Sequence, residues 1–233
     1  MIISSANAFS QKKNICDKWD VLDSLIINTL IDEDEAFELM SEYNNGVRSY
    51  FKQQKGVNVS RDEWVFPLEN YTSVHYRDYG NDYKVAGYDY FQGSNTKGHP
   101  AHDLMILDKN KDLLDDSTLK PVDVVSMSSG IVVATDTTWK AGSKLRGGKY
   151  IKIFDVTNNG LFYYSHLSEV NVTPGDIIVS GDKIGEVGRT GRKAILKDGK
   201  THLHVSFLKF NEEGYPVPED IIKELRKSEK KEN

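Results

Sequence analysis

Two histidines one residue apart, His202 and His204, are the residues in this chain whose spacing first suggests chemistry. In Thr201-His202-Leu203-His204-Val205 the alternation of a strand sends both imidazoles to one face and Leu203 and Val205 to the other. One ring can then bind a metal ion while its neighbour touches the water on that ion. Upstream, His99 and Asp103 share parity on an extended segment and can converge on the same ion. Two histidines and a carboxylate are a ligand set used by catalytic zinc, which keeps a fourth position for water, whereas structural sites are closed by a fourth protein ligand. Each motif alone is common, since an HxH on a strand is more often a pair of surface or hydrogen-bonded histidines. Their combination with His166, at the end of the run Tyr163-Tyr164-Ser165-His166-Leu167, is what points to a site. His102 has the opposite parity to Asp103 and is expected to support or pack rather than bind, and His75 defaults to structure. Tyr163 and Tyr164 also differ in parity, so that one reaches the groove and the other the core.

These residues need elements to position them. From about Asp17 to Phe51, apolar residues such as Leu22, Leu25, Ile26 and Leu30 recur at helical intervals. The acidic run Asp32 to Glu35 is expected to interrupt this helix, and Asn44-Asn45-Gly46 to weaken or end the next one. After about Val57 the chain changes to short runs rich in Val, Ile, Tyr and Phe between turn residues, the pattern of an antiparallel β domain. The clearest strands run from Val122 to Met127, Gly130 to Thr135, Tyr150 to Asp155, Leu161 to His166 and His202 to Leu208. Asn158-Asn159-Gly160 signals a hairpin, and Pro174-Gly175-Asp176 and Ser180-Gly181-Asp182 mark two tight turns. The expected organisation is an N-terminal helical region over 1–56, a β domain over 57–213 and a charged tail over 214–233 with a short helix.

In chain order, His99-x-x-x-Asp103, Tyr164-Ser165-His166-Leu167, Pro174-Gly175-Asp176, Gly185-Glu186-Val187-Gly188-Arg189-Thr190-Gly191 and His202-Leu203-His204 resemble the blocks of the lysostaphin-type, LytM-like M23 zinc metallopeptidases. The resemblance spans about residues 64–210. It implies a mainly β fold, an antiparallel β-sheet metallopeptidase domain of LytM or duplicated-hybrid-motif type, with the helices as an appendage. It further implies that His99, Asp103 and His204 hold one Zn2+ and that His166 and His202 are the catalytic histidines that do not bind it. The implied substrate is the peptide part of bacterial peptidoglycan, cut by an exported endopeptidase. Two departures are visible. Ala101 stands where the family usually has glycine, and the stretch from about Asp108 to Lys120 is longer than the family's tight loop. Neither removes a ligand. The competing expectations are a non-catalytic LytM-like module that binds the cell wall or regulates other hydrolases, and a peptidase restrained by its own N-terminal helices.

Composition narrows the alternatives. The chain has 233 residues, 38% hydrophobic and 28% charged, with a formal charge of −5. That describes a folded protein, and no basic stripe with interleaved aromatics suggests a nucleic-acid partner. No apolar run approaches the roughly 20 residues of a membrane span. The single cysteine, Cys16, can form neither an internal disulfide nor a thiolate metal site and is expected to be an inert, small side chain. Met1-Ile2-Ile3 and Ala6-Asn7-Ala8 fit the end of a secretory signal as well as they fit chance. The run Asp108-Lys109-Asn110-Lys111-Asp112, followed by Asp115 and Asp116, has the oxygen-rich spacing of a Ca2+ loop over 108–116 but lacks its glycine and terminal glutamate.

Overall fold

Two sheets and three helices are present in the computed structural model, which describes residues 14–229. The segment read above as the end of a secretory signal lies outside the described residues.

Helix α1 covers Ile15–Ile27 and α2 covers Glu33–Gln53. Asn14 starts α1 with a capping box, accepting from the Cys16 and Asp17 N–H groups while Asp17 accepts from the Asn14 N–H. The acidic run acts as a start signal for α2, not only as a break: Asp32 caps it, and Glu33, Asp34 and Glu35 lie in its first turn, where the helix dipole favours negative charge. Asn44-Asn45-Gly46 does not end α2, because packing overrides the turn signal. Asn44 is buried and accepts from the Trp19 indole N–H at 2.9 Å, and Gly46 leaves room for Ile15, which a Cβ there would meet at 2.7 Å.

The smaller sheet has the order β1-β4-β10-β8, formed by Leu68–Glu69, Asp123–Val125, Lys183–Glu186 and Glu169–Val170. The larger runs β2-β3-β11-β7-β6-β5-β9, with β2 Val74–Tyr76, β3 His102–Ile106, β5 Gly130–Asp136, β6 Lys149–Asp155, β7 Gly160–Leu167, β9 Ile177–Ile178 and β11 His202–Phe210. Strand β12, Pro216–Glu219, extends the pairing of β11, and α3, Ile222–Ser228, follows it. The strand pairs described are antiparallel, and β6 and β7 form the hairpin signalled by Asn158-Asn159-Gly160.

Alternation divides the large sheet into two working faces. Ile151, Ile153, Phe162, Tyr164, Leu203, Val205 and Phe207 point into the core shared with the smaller sheet. Tyr150, Phe154, Leu161, Leu208 and Phe210 point the other way, against Trp19, Leu22, Ile26, Met40 and Phe51 of the helices. The helices therefore cover one end of a face whose other end is open. Cys16 is enclosed in this second core, and burial pushes its thiol up to about 12, so it carries no reactive thiolate.

Candidate metal centre

Strand register builds the site on the open end of that face. Within β11, His204 lies opposite Asp103 of β3 on one side and Ser165 of β7 on the other, so these side chains share a row. His202 lies one row out, opposite Met105. The two histidines share a face, and Leu203 and Val205 are fully buried behind them. His99 is not on the strand with Asp103. It precedes β3 in an irregular stretch tied by a bridge to Lys84, and its ring reaches Asp103 from there.

His99 Nε2 and His204 Nδ1 each lie 3.0 Å from the same Asp103 oxygen. The donor atoms of the three residues lie within 4.8 Å of one another, and among the described residues this is the one group of three or more such side chains placed to hold a metal ion. A tetrahedral ion with bonds of about 2.0–2.1 Å needs ligand atoms about 3.3 Å apart. Hydrogen bonding fixes which atoms are available. The His99 Nδ1–H donates to the Asp82 carbonyl at 2.9 Å, which makes Nε2 the ring nitrogen turned toward the cluster.

Charge follows from geometry. Burial alone would raise the Asp103 carboxyl, but hydrogen bonds from His204 and His99 win and hold it well below the usual carboxylate range. Burial and the neighbouring rings of His99 and His202 keep His204 below an ordinary histidine, against the pull of Asp103. For His99, burial pulls the pKa down but the bond to Asp103 overrides it and raises it. An ionised carboxylate and a neutral His204 are the forms that bind a metal. The N, O and N donor set fits zinc.

His166 closes the site on the β7 side. Its ring centroid lies 4.6 Å from that of His202 and 5.5 Å from that of His204. Its Nδ1–H donates to the Thr190 carbonyl at 2.7 Å, so Nε2 is the bare nitrogen. Burial, aided by His202 and His204, lowers its pKa to about 3, which keeps the ring neutral. The backbone is held in the left-handed region, φ 65°, a costly conformation for a residue with a side chain. Gly191 leaves room for the His166 ring: at φ 111°, a Cβ there would meet the Arg146 carbonyl oxygen at 2.4 Å and His166 Nδ1 at 2.7 Å. His202 donates its Nδ1–H to the Lys200 carbonyl at 2.7 Å, and its Nε2 lies 3.8 Å from Asp103.

Four contributors escaped the sequence reading. Arg77 donates to the second Asp103 oxygen at 2.9 Å. Buried Asp82 accepts the Asp103 backbone N–H at 2.8 Å and bonds His102 Nδ1 at 2.9 Å, while Asp220 takes His102 Nε2 at 3.0 Å. These partners are brought together only by the fold and leave no local signal. The fourth, Lys152, does leave one, as a lysine in the middle of a buried apolar strand. His102 itself faces away from the cluster, as its parity requires. Tyr164 is buried in the core, Tyr163 lies beside His204 with ring centroids 5.9 Å apart, and His75 is exposed on β2.

The acidic loop gives calcium no support. Asp108 accepts the Asp112 and Leu113 N–H groups and the Thr201 hydroxyl, and Asp115 accepts from Thr72, Ser117 and Thr118. These carboxylates organise the turn, and no three of the loop's acidic side chains converge as the histidine cluster does.

An open sheet face on which two imidazoles and a carboxylate meet defines a β protein with a candidate metal centre. More narrowly, residues 115–217 match the model of peptidase family M23. The match includes His166, His202 and His204 and begins after His99 and Asp103. Among solved structures, a LytM assigned as a glycyl-glycine endopeptidase from Ruminococcus gnavus ATCC 29149 is similar at 20% identity and TM-score 0.51, over 94% of this chain and 83% of that one. The catalytic domain of the antimicrobial peptidase lysostaphin from Staphylococcus simulans aligns at 20% identity and TM-score 0.39, over 74% and 94% of the two chains. A zinc-containing peptidase from Vibrio cholerae aligns at 19% identity and TM-score 0.40, over 70% and 39%. No curated protein matches by sequence. Among the described residues no helix is long and apolar enough to cross a membrane.

Proposed function

We propose that this chain is a zinc-dependent endopeptidase that hydrolyses peptide bonds of bacterial peptidoglycan in the cell envelope or outside the cell. The observation that carries the reading is the convergence of His99, Asp103 and His204 donor atoms within 4.8 Å, with His166 and His202 beside them and the match to the M23 family model over residues 115–217. A non-catalytic relative has no need to keep all five groups in one place. The peptidoglycan substrate and the exported location follow from the family resemblance.

In this reading His99 Nε2, Asp103 and His204 Nδ1 hold one zinc ion. Bound there, zinc supplies Lewis acidity, which acidifies water and polarises a carbonyl. His166 turns a bare Nε2 toward the cluster, where it would accept a hydrogen bond from the attacking water. His202, held by Lys200 and facing the cluster through Nε2, would, once it has taken up a proton, donate to the developing oxyanion or to the leaving amine. Asp82 holds Asp103 by accepting its backbone N–H, and Arg77 holds it by donating to its carboxylate.

The test is digestion of purified peptidoglycan from several wall types, with and without a chelator, with mass analysis of the released fragments. Zinc-dependent release of peptide fragments is expected. No release by protein carrying stoichiometric zinc overturns the reading. Asp103→Ala is expected to lose the metal together with the activity.

A further inference from the structure

The cavity that opens onto the metal centre has a volume of about 790 Å3 and extends inward along the sheet face as far as α1. Its inner end is lined by Ile26, Ile27, Tyr88, Tyr90, Tyr163 and Lys152. Lys152 shares a row with Tyr163 and Ser206, one row inward from His204 and Ser165. Only 5% of it is exposed, and what remains faces the cavity.

Lys152 is held by an unusual set of neighbours. Its ammonium pairs with Asp23 of α1, which is fully buried, and donates to the Tyr90 hydroxyl at 3.2 Å. Tyr150 and Tyr90 donate to Asp23 at 2.8 and 3.2 Å. The ammonium also lies over the rings of Tyr90 and Tyr163, at 4.8 and 5.5 Å from their centroids. A buried ion pair costs desolvation that well-packed apolar residues would avoid, so its presence beside a cavity invites a functional reading. An ammonium has three N–H donors. Among the described residues, Asp23 and Tyr90 take two of them, and one is left for whatever enters the cavity.

The charge balance selects the occupant. Lys152 and Asp23 cancel, so an entering carboxylate or ammonium would place an uncompensated charge in a site walled by isoleucine and tyrosine. A peptide carbonyl would accept the third N–H without disturbing the balance. We propose that the inner end of the groove is a substrate subsite in which Lys152 binds an uncharged backbone amide of the peptide and which rejects a charged chain end. The inference rests on the peptidase reading for its substrate class. It also makes α1 part of the substrate groove, since Asp23, Ile26 and Ile27 all come from that helix.

The probes are hexaglycine and triglycine, each acetylated and amidated or left with free ends. Binding to zinc-loaded protein is measured by calorimetry, and hydrolysis by the kcat and KM of each peptide. Capped hexaglycine is expected to bind at least tenfold more tightly than hexaglycine with free ends. The double variant Asp23→Asn, Lys152→Met removes the donor while keeping the site neutral. It is expected to shrink the affinity advantage of capped hexaglycine over capped triglycine at least tenfold, with the metal content retained and kcat less affected than KM. A folded double variant that keeps this advantage within twofold of the parent overturns the proposal. So does a parent protein with no preference for capped over free ends. If the double variant fails to fold, that comparison of ends on the parent protein decides alone. Failure of the protein to cut any peptide or peptidoglycan overturns the peptidase reading, and the calorimetric comparison still decides the subsite.

Discussion

Asp82 is the residue whose removal most directly tests how the centre is held. It touches three members of the region at once: its carboxylate accepts the Asp103 backbone N–H and bonds His102, and its carbonyl accepts the His99 Nδ1–H. Replacing it with alanine removes the first two contacts and leaves the third intact. The Asp103 N–H then becomes a buried donor without a partner, a loss of about 1–3 kcal/mol, and the weakened His102 bond adds a similar amount. A total of about 2–6 kcal/mol corresponds to a fall in Tm of about 5–20 °C for a chain of this size.

The metal should register the change separately, because Asp103 loses the bond that fixes its backbone. Partners of this kind are worth roughly 10- to 100-fold in metal affinity. Asp82→Ala is therefore expected to bind zinc at least tenfold more weakly in competition with a chromophoric chelator, while calorimetry reports the drop in Tm. Asp220→Ala is the control, since it removes the other partner of His102 and leaves the Asp103 bond alone. It should change zinc affinity by less than about threefold. A folded Asp82→Ala protein that binds zinc within twofold of the parent, or that merely matches Asp220→Ala, refutes the positioning argument.

Three further outcomes are expected. His166→Ala should lower kcat by a factor of about 100 to 10,000 with zinc still bound, and equal loss of metal and turnover would contradict its place outside the ligand set. Gly191→Ala forces a Cβ into the Arg146 carbonyl and the His166 ring, so kcat should fall more than tenfold, and crystallography should show the His166 ring displaced. Burial pushes the Asp20 carboxyl up from 3.8 to about 6, against the stabilising bond from the Thr135 N–H. A raised folded pKa means that this group's favourable contribution is complete below pH 3.8 and is lost as the pH rises through about 6. Asp20→Asn should therefore raise Tm at pH 7.5 relative to the parent and narrow the gap at pH 4.5, and a gap independent of pH would exclude Asp20 as its cause.

Legibility in the sequence tracked the range of the interaction. The HxH pair could be read because strand alternation is local, and the same logic separated Tyr163 from Tyr164 and turned His102 away from Asp103. The hairpin at Asn158-Asn159-Gly160 and the two tight turns were likewise local, and Gly175 and Gly181 take the positive φ values those turns need. The Asn44-Asn45-Gly46 signal misled because its outcome was set elsewhere, by Trp19 and Ile15 of the neighbouring helix. Asp82 and Asp220 offered nothing to read, since their role exists only once segments 20 and 118 residues apart meet at His102. The convergence of His99 with Asp103 was expected from shared parity and is achieved by a bridge to Lys84 instead.

The division of the sheet face bears on what the helices do. Restraint of a peptidase by its own N-terminus requires the covering segment to sit over the ligands and to leave without exposing a core. Helices α1 and α2 instead seal the inner end of the face, where Trp19, Leu22 and Met40 share one apolar cluster with Ile131, Phe154 and Phe210. Removing them would expose that cluster to water at a cost of about 1.5–3 kcal/mol for each large side chain, and would leave Lys152 buried without the carboxylate that neutralises it. A segment so placed acts as a wall. The metal centre stays open at the other end of the same face, and Lys152, which lines the cavity, stands between the two.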